Sequence, residues 1–320
     1  MTFLRKRQPG TTLVPAFVLT SVSLLLTLHS ANAAQLMWDG DFEEGASSIN
    51  GSNSADFSKK VEKSGIEAAA DVQAASGMGN CTRPRAGSYA GRSRILSGGY
   101  NEQVRAELKA NEPGVIQFKW DGPEYWLAVS LCLADWPSGS DVNTLYQIHA
   151  PNEPSGSHCD FAGNALTIGL EYDTAFISVL NNPDGRSNGD GAFSNTKKVY
   201  SFNARNTMGK WQDFVFKIKL STKGDGYYTA WHNGTQVASG SGLVNVNWKD
   251  SCGNTIDKKY SNGPHVGFYG GPNKAGPKTL YIDSLKVAEG TSGFDLVSVG
   301  SSGGAAANAV PNPPSNLVVR

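Results

Sequence analysis

Short runs of β-branched and aromatic residues recur along this chain, separated by clusters of glycine, proline and asparagine. That pattern leaves strands as the dominant element. The runs are VRAEL at 104–108, VIQFKW at 115–120, YWLAVSLCL at 125–133, NTLYQIH at 143–149, ALTIGLEY at 165–172 and AFISVL at 175–180. They continue with WQDFVFKIKL at 211–220, YYTAWH at 227–232, TQVASG at 235–240, PHVGFYG at 264–270 and TLYIDSLKV at 279–287. Asn233-Gly234 between two of them is the signature of a two-residue hairpin turn. Only KKVEKSGIEAAADVQAAS, residues 59–76, has helical composition, and it lacks a clean apolar stripe. Strands and helices do not alternate, which excludes a doubly wound or α/β-barrel fold. The expectation is all-β, a sandwich of two large antiparallel sheets in one domain.

The two ends read differently. Arg5, Lys6 and Arg7 precede a sixteen-residue apolar run at 13–28, and Ala31-Asn32-Ala33 has the small-x-small form of a signal-peptidase site. A signal peptide over 1–33 is expected, with cleavage before Ala34, because the run is short for a membrane span of about twenty residues. Its removal leaves 25 basic residues against 28 acidic ones, a net charge of −3. A secreted or periplasmic protein follows, with neither a nucleic-acid partner nor a membrane anchor after processing. The domain is expected over 34–288, and 289–320, rich in glycine, alanine and proline, as a flexible tail. The four cysteines, Cys81, Cys132, Cys159 and Cys252, imply two disulfides in an oxidising compartment. Three pairings exist; Cys132–Cys159 with Cys81–Cys252 is favoured, since Cys132 ends a strand and Cys159 follows the next loop.

Strand alternation sorts the polar residues by face. Tyr146 and Ile148 suit a core, which turns Gln147 and His149 outward. Arg105 and Glu107 share one face, opposite Val104, Ala106 and Leu108. Neighbouring strands of this kind would carry a wet surface bearing an imidazole, an amide and a guanidinium. Opening a uronic-acid glycoside by β-elimination needs such a set: a group that neutralises the carboxylate, a base for the adjacent proton, and an acid for the leaving oxygen.

The ordered pieces DGDFE at 39–43, VRAEL at 104–108, YWLAVSLCLADW at 125–136 and YQIHAPN at 146–152 carry a resemblance that extends to KWQDFVFKIKLS at 210–221, YYTAWHNGTQVA at 227–238 and GFYGG at 267–271. From Asp39 to Val287 the chain resembles the heparin-lyase-I-like polysaccharide lyases, related to the jelly-roll glucuronan and alginate lyases. The resemblance implies a concanavalin-like β-jelly-roll and β-elimination in a groove on the concave sheet. It places Arg105 at the family's arginine, Gln147 at its carboxylate-neutralising glutamine, His149 at its general base and Tyr269 at its catalytic tyrosine. Tyrosine serving as both base and acid remains an alternative division of labour. Two positions depart from the pattern: Lys109 stands where a second arginine is common, and His265 where heparin-cleaving members carry lysine. A fixed ammonium is thereby lost, and unsulfated uronate polymers, glucuronan or alginate, are expected ahead of heparin. On the face of Tyr269, Gly267 and Gly271 are expected to leave room for the polymer.

His265, His232, Lys109 and Tyr260 are the candidate substrate-binding residues, Tyr260 also being the rival acid. No cofactor is required by this chemistry. Asp39 and Asp41 could contribute to a structural calcium site, although the loop spacing of an EF-hand is absent. The expected partner is an acidic polysaccharide, acted on by a monomer. Two other classes stay open. A β-sandwich glycoside hydrolase would use a carboxylate pair such as Glu171 and Asp173; a non-catalytic carbohydrate-binding protein would need the groove alone.

Overall fold

In the computed structural model the described residues are 33–49, 57–62, 68–96, 103–110, 116–137, 142–149, 164–180, 196–241, 260–272 and 276–299. They belong to one unit. The first half of its strands are β1 (Gln35–Gly40), β2 (Phe57–Glu62), β3 (Ala68–Ala74), β4 (Tyr89–Ile95), β5 (Gln103–Ala110), β6 (Gln117–Lys119), β7 (Tyr125–Asp135) and β8 (Asn143–His149). There follow β9 (Leu166–Glu171), β10 (Thr174–Leu180), β11 (Thr196–Asn203), β12 (Gln212–Lys219), β13 (Tyr227–His232), β14 (Thr235–Ser241), β15 (Tyr260–Pro272) and β16 (Lys278–Glu289). A single helical turn, α1 (Phe294–Val297), closes the described chain.

The strands form two antiparallel sheets. One runs β14-β13-β12-β7-β16-β4-β3, with β1 also on β16; the other runs β11-β10-β9-β8-β15-β5-β2, with β6 also on β15. Their facing sides build one core, as a jelly-roll-like sandwich requires. Leu127, Val129, Leu131, Phe214 and Phe216 of the first sheet meet Tyr146, Ile148, Leu166, Ile168, Val266 and Phe268 of the second. Tyr146 stacks on Phe216 across the gap with ring centroids 6.2 Å apart. Each such aromatic, fully buried, stabilises by about 1.5–3 kcal/mol.

Each strand candidate singled out between 104 and 287 coincides, in its described residues, with a strand. Within residues 59–76 the described part is mostly strand: Lys59 to Glu62 belong to β2 on β5, Ala68 to Ala74 form β3 on β4, and Ala75 begins a short 3-10 turn. Pairing with a sheet edge outweighs the helix propensity of alanine, lysine and glutamate there. β4 and β11 carried no readable pattern, because β4 faces inward with small residues and β11 is an edge strand with two exposed lysines. Asn233 and Gly234 turn at φ of 49° and 76°, the left-handed pair that a two-residue hairpin needs.

Strand β7 is buried on both faces, and two features cover its outer side. At one end Cys132 is joined to Cys81, clipping the segment after β3 onto the sheet. The expected Cys132–Cys159 bridge, and with it Cys81–Cys252, is therefore incorrect. Cys132 alternates outward, toward the segment that carries Cys81. Cys159 and Cys252 lie outside the described residues. At the other end α1 packs on Trp126 and Trp231, with Val297 fully buried. Packed chain thus extends beyond the boundary expected at 288. The expected signal peptide lies outside the described residues apart from Ala33. Among the described residues no helix is long and apolar enough to cross a membrane.

Candidate active site

The strands β5, β15 and β8 lie side by side in the second sheet and set the site by register. Tyr269 of β15 sits opposite Arg105 of β5 and Thr144 of β8. His265, four residues earlier, sits opposite Lys109 and Gln147. His149 pairs with Asn262 at the end of β8. A register shift between Thr144 and Tyr146 resets the alternation of β8, so Leu145 joins the core instead of sharing the face of Gln147.

Glu107 is the hub of the cluster, with no exposed surface. Its Oε2 accepts from Arg105 Nε at 2.5 Å and its Oε1 from Gln147 Nε2 at 2.7 Å. His265 Nδ1 lies 3.9 Å from the same Oε2. The other end of the Gln147 amide accepts from Asn164 Nδ2 at 2.5 Å, which fixes which way the amide faces. The Arg105 guanidinium carbon is 4.2 Å from the centre of the Tyr269 ring. His149 and His265 stack with centroids 4.6 Å apart and planes 18° from parallel. His149 and Tyr269 are partly exposed, whereas Arg105, Gln147 and His265 are buried behind them. A guanidinium, an amide, two imidazoles and a phenol are thus gathered around one buried carboxylate, with one imidazole and the phenol open to solvent.

Arg105, Gln147, His149, His265 and Tyr269 are brought together although they lie far apart in the chain. Lys109 stands beside His265 in register. His232 is elsewhere. It lies on β13 of the first sheet, turned into the sandwich, stacked 4.7 Å from Phe214 and bonded to Tyr200 and Gln212. It is an interior residue and lines no surface shared with the cluster; burial pushes its pKa below the usual histidine value. Tyr260 pairs with Lys119 of β6; its side chain lies outside the described residues. Gly267 has a different reason from the one expected. A Cβ there would lie 2.3 Å from the Ala106 carbonyl oxygen, and φ is +130°. The glycine admits the backbone of β5 beside Glu107, not a polymer. Two participants had no assigned role in the sequence. Glu107 was visible only as the residue sharing a face with Arg105, and Asn164 belongs to the segment entering β9 and carried no signal.

Asp39 and Asp41 do not converge. Asp39 pairs with Lys286 at 3.0 Å and Asp41 accepts from the Glu43 N–H. Among the described residues no group of three or more His, Cys, Asp or Glu could hold a metal ion. Glu171 and Asp173, the carboxylates a hydrolase would use, are separately engaged by Lys198 and Arg205.

Two antiparallel sheets packed face to face give the jelly-roll-like fold of the polysaccharide lyases related to glucuronan and alginate lyases. The chain belongs to the family described as Polysaccharide lyase, whose model matches residues 42–286. Among solved structures it is similar to the endo-β-1,4-glucuronan lyase of the fungus Trichoderma reesei, at 19% identity and a TM-score of 0.51, over 85% of this chain and 99% of that one. It also matches alginate lyase A1-II′, a member of polysaccharide lyase family 7, at 15% identity and a TM-score of 0.43, over 63% and 80% of the two chains. The alginate lyase from Corynebacterium sp. matches at 15% identity and a TM-score of 0.39, over 62% and 77%. Among curated proteins none matches.

Proposed function

We propose that this protein is a secreted or periplasmic lyase, acting as a monomer, that cleaves an unsulfated uronate polysaccharide, glucuronan or alginate, by β-elimination. The observation that carries the reading is the juxtaposition of His149 and Tyr269, both reachable from solvent, with the buried Arg105–Glu107–Gln147–His265 network. In the proposed reaction a base removes the ring proton next to the uronate carboxylate. The electron pair forms the new carbon–carbon double bond, and the bond to the glycosidic oxygen breaks as that oxygen takes a proton. Arg105 and the second N–H of Gln147 offset the charge that builds on the carboxylate.

His149 is the base and must be neutral to act. Its stacked neighbour helps. A proton on His265 gains the Glu107 carboxylate 3.9 Å away, and a second charge 4.6 Å off on His149 would be repelled. A positive charge on His265 would disfavour a second one on His149 and would supply part of what a lysine at that position would. Tyr269 is the acid, since a tyrosine phenol carries its proton at neutral pH. The Arg105 guanidinium packs over its ring and holds the phenol in place.

Incubation with glucuronan, alginate, heparin and hyaluronan tests the reading by ultraviolet absorbance of the conjugated double bond. Unsaturated ends from an unsulfated uronate polymer support it. New reducing ends without absorbance would establish a hydrolase instead, and tight binding with neither product a carbohydrate-binding protein.

A further inference from the structure

A single row of polar residues crosses the second sheet from the site to its far edge. By register, Lys109 of β5 is followed by His265 of β15, Gln147 of β8, Thr167 of β9, Ser178 of β10 and Lys198 of β11. Six strands thus contribute one residue each, and a lysine stands at either end. The inward sides of the same strands carry Leu166, Ile168, Ile177 and Val179 in the core, so the row belongs to the outer face. Adjacent strands are spaced about 4.8 Å apart, close to the advance of one 1,4-linked pyranose. His265, Gln147, Thr167 and Ser178 are themselves buried, so a polysaccharide crossing these strands would pass over the row, advancing roughly one sugar per strand, and meet the exposed lysine at its end.

The far end of the row is built rather than incidental. Gly169 lacks a Cβ, and one placed there would lie 2.2 Å from the ring of Phe176. The Phe176 ring therefore packs over Gly169 of β9, beneath Lys198. The Lys198 ammonium sits 4.3 Å above the centre of that ring and pairs with Glu171. Its side chain remains 56% exposed. A surface ion pair of this kind adds little to stability, so the fold gains little from holding the ammonium there. What the arrangement does is fix a cation, open to solvent, about 14 Å along the row from Gln147, three strand spacings away.

We propose that Lys198, over Phe176, forms a distal subsite for a carboxylate of an acidic polysaccharide, roughly three to four sugars from the bond that is cut. The proposal deepens the lyase reading and rests on it for the position of the cut. Glu171 is the internal competitor of this subsite, because a substrate carboxylate must share or displace it. Its removal therefore acts in the opposite direction from removal of the lysine.

The experiment measures dissociation constants of size-fractionated glucuronan and alginate oligomers, from two to eight sugars, for the full chain and for Lys198→Gln and Glu171→Gln. Melting temperatures and formation of unsaturated product are followed in parallel. Lys198→Gln should weaken binding by roughly 3- to 10-fold, as expected of one partly exposed charged contact. The loss should grow once the oligomer is long enough to reach β11, and shrink at high salt. Glu171→Gln should tighten binding of the same long oligomers by a few-fold. Equal weakening by both variants would show a merely structural ion pair and overturn the proposal. So would a length-independent effect, or none. Wild-type protein that binds these oligomers with opposite shifts in the two variants but yields no unsaturated product would keep the subsite and overturn the lyase reading. Wild-type protein that binds none of them would overturn the subsite.

Discussion

Glu107 carries a charge with no exposed surface, and groups from three strands converge on it. A buried carboxylate is tolerated only when paired and hydrogen-bonded. Here Arg105 and Gln147 supply the bonds and His265 stands within 3.9 Å. Glu107 thereby orients residues that face the proposed substrate without touching it. Glu107→Gln should lower turnover by about 10- to 100-fold, the size of a lost charge-assisted bond. It should also move the acidic limb of the pH–rate profile, because His265 loses its counter-charge while His149 stays beside it. Circular dichroism and melting confirm folding first; an unmoved pH profile in a folded variant would reduce Glu107 to packing. His149→Ala and Tyr269→Phe should each lower turnover by roughly 10²–10⁴-fold with polymer binding retained. Near-normal turnover in Tyr269→Phe would remove it from proton transfer and make Tyr260 the next candidate.

At the scale of elements, strand existence was legible because β-branched and aromatic runs bounded by turn residues have one common reading. The gathering of Arg105, Gln147, His149 and Tyr269 in one sheet was legible through alternation and the family likeness together. What could not be read were the consequences of register. The bulge at Leu145, the burial of His232 between sheets and the nearness of Asn164 to Gln147 depend on which strands neighbour each other, and local sequence does not encode that. The disulfide is the clearest case. Proximity in sequence favoured Cys159, but Cys132 points away from the core toward the segment after β3. Peptide mapping without reduction should find Cys81 linked to Cys132; a Cys132–Cys159 peptide would contradict the fold at this edge. Replacing both residues by alanine opens a loop of about fifty residues and should cost about 2–5 kcal/mol in denaturant unfolding. Gly267→Ala belongs to the same scale. Its Cβ would collide with the β5 backbone, so melting temperature and turnover should fall together, with Glu107 shifted from its partners.

Across the whole molecule, two buried titratable groups in the first sheet give opposite pH dependences of stability. Asp283 of β16 is 2% exposed, and burial raises its pKa to about 6 although the N–H groups of Arg85, Ala86 and Ser284 bond its oxygens. The folded state therefore holds this proton more tightly than the unfolded chain, whose value is 3.8. The associated stability is complete below pH 3.8 and is lost as pH rises through about 6, by about 3 kcal/mol. His232 has the reverse sign. Its folded pKa lies below 6.5, so its contribution is complete above 6.5 and is lost as pH falls through the folded value. Between pH 4 and 6.5 the two slopes oppose each other and flatten the wild-type curve. Asp283→Asn keeps a carbonyl for the Arg85 and Ala86 N–H groups but cannot ionise. Relative to wild type, it should gain stability as pH rises from 4 to 6.5. His232→Gln should gain, relative to wild type, as pH falls through the same range, since it no longer has a proton to refuse. Urea unfolding of the three proteins at half-unit pH intervals separates the terms. A pH-independent difference between wild type and Asp283→Asn would mean that Asp283 ionises alike in the folded and unfolded chains. The carboxylate would then hold the 85–86 segment without any pH-dependent contribution, beside the Arg85–Asp213 ion pair and the Cys81–Cys132 bridge.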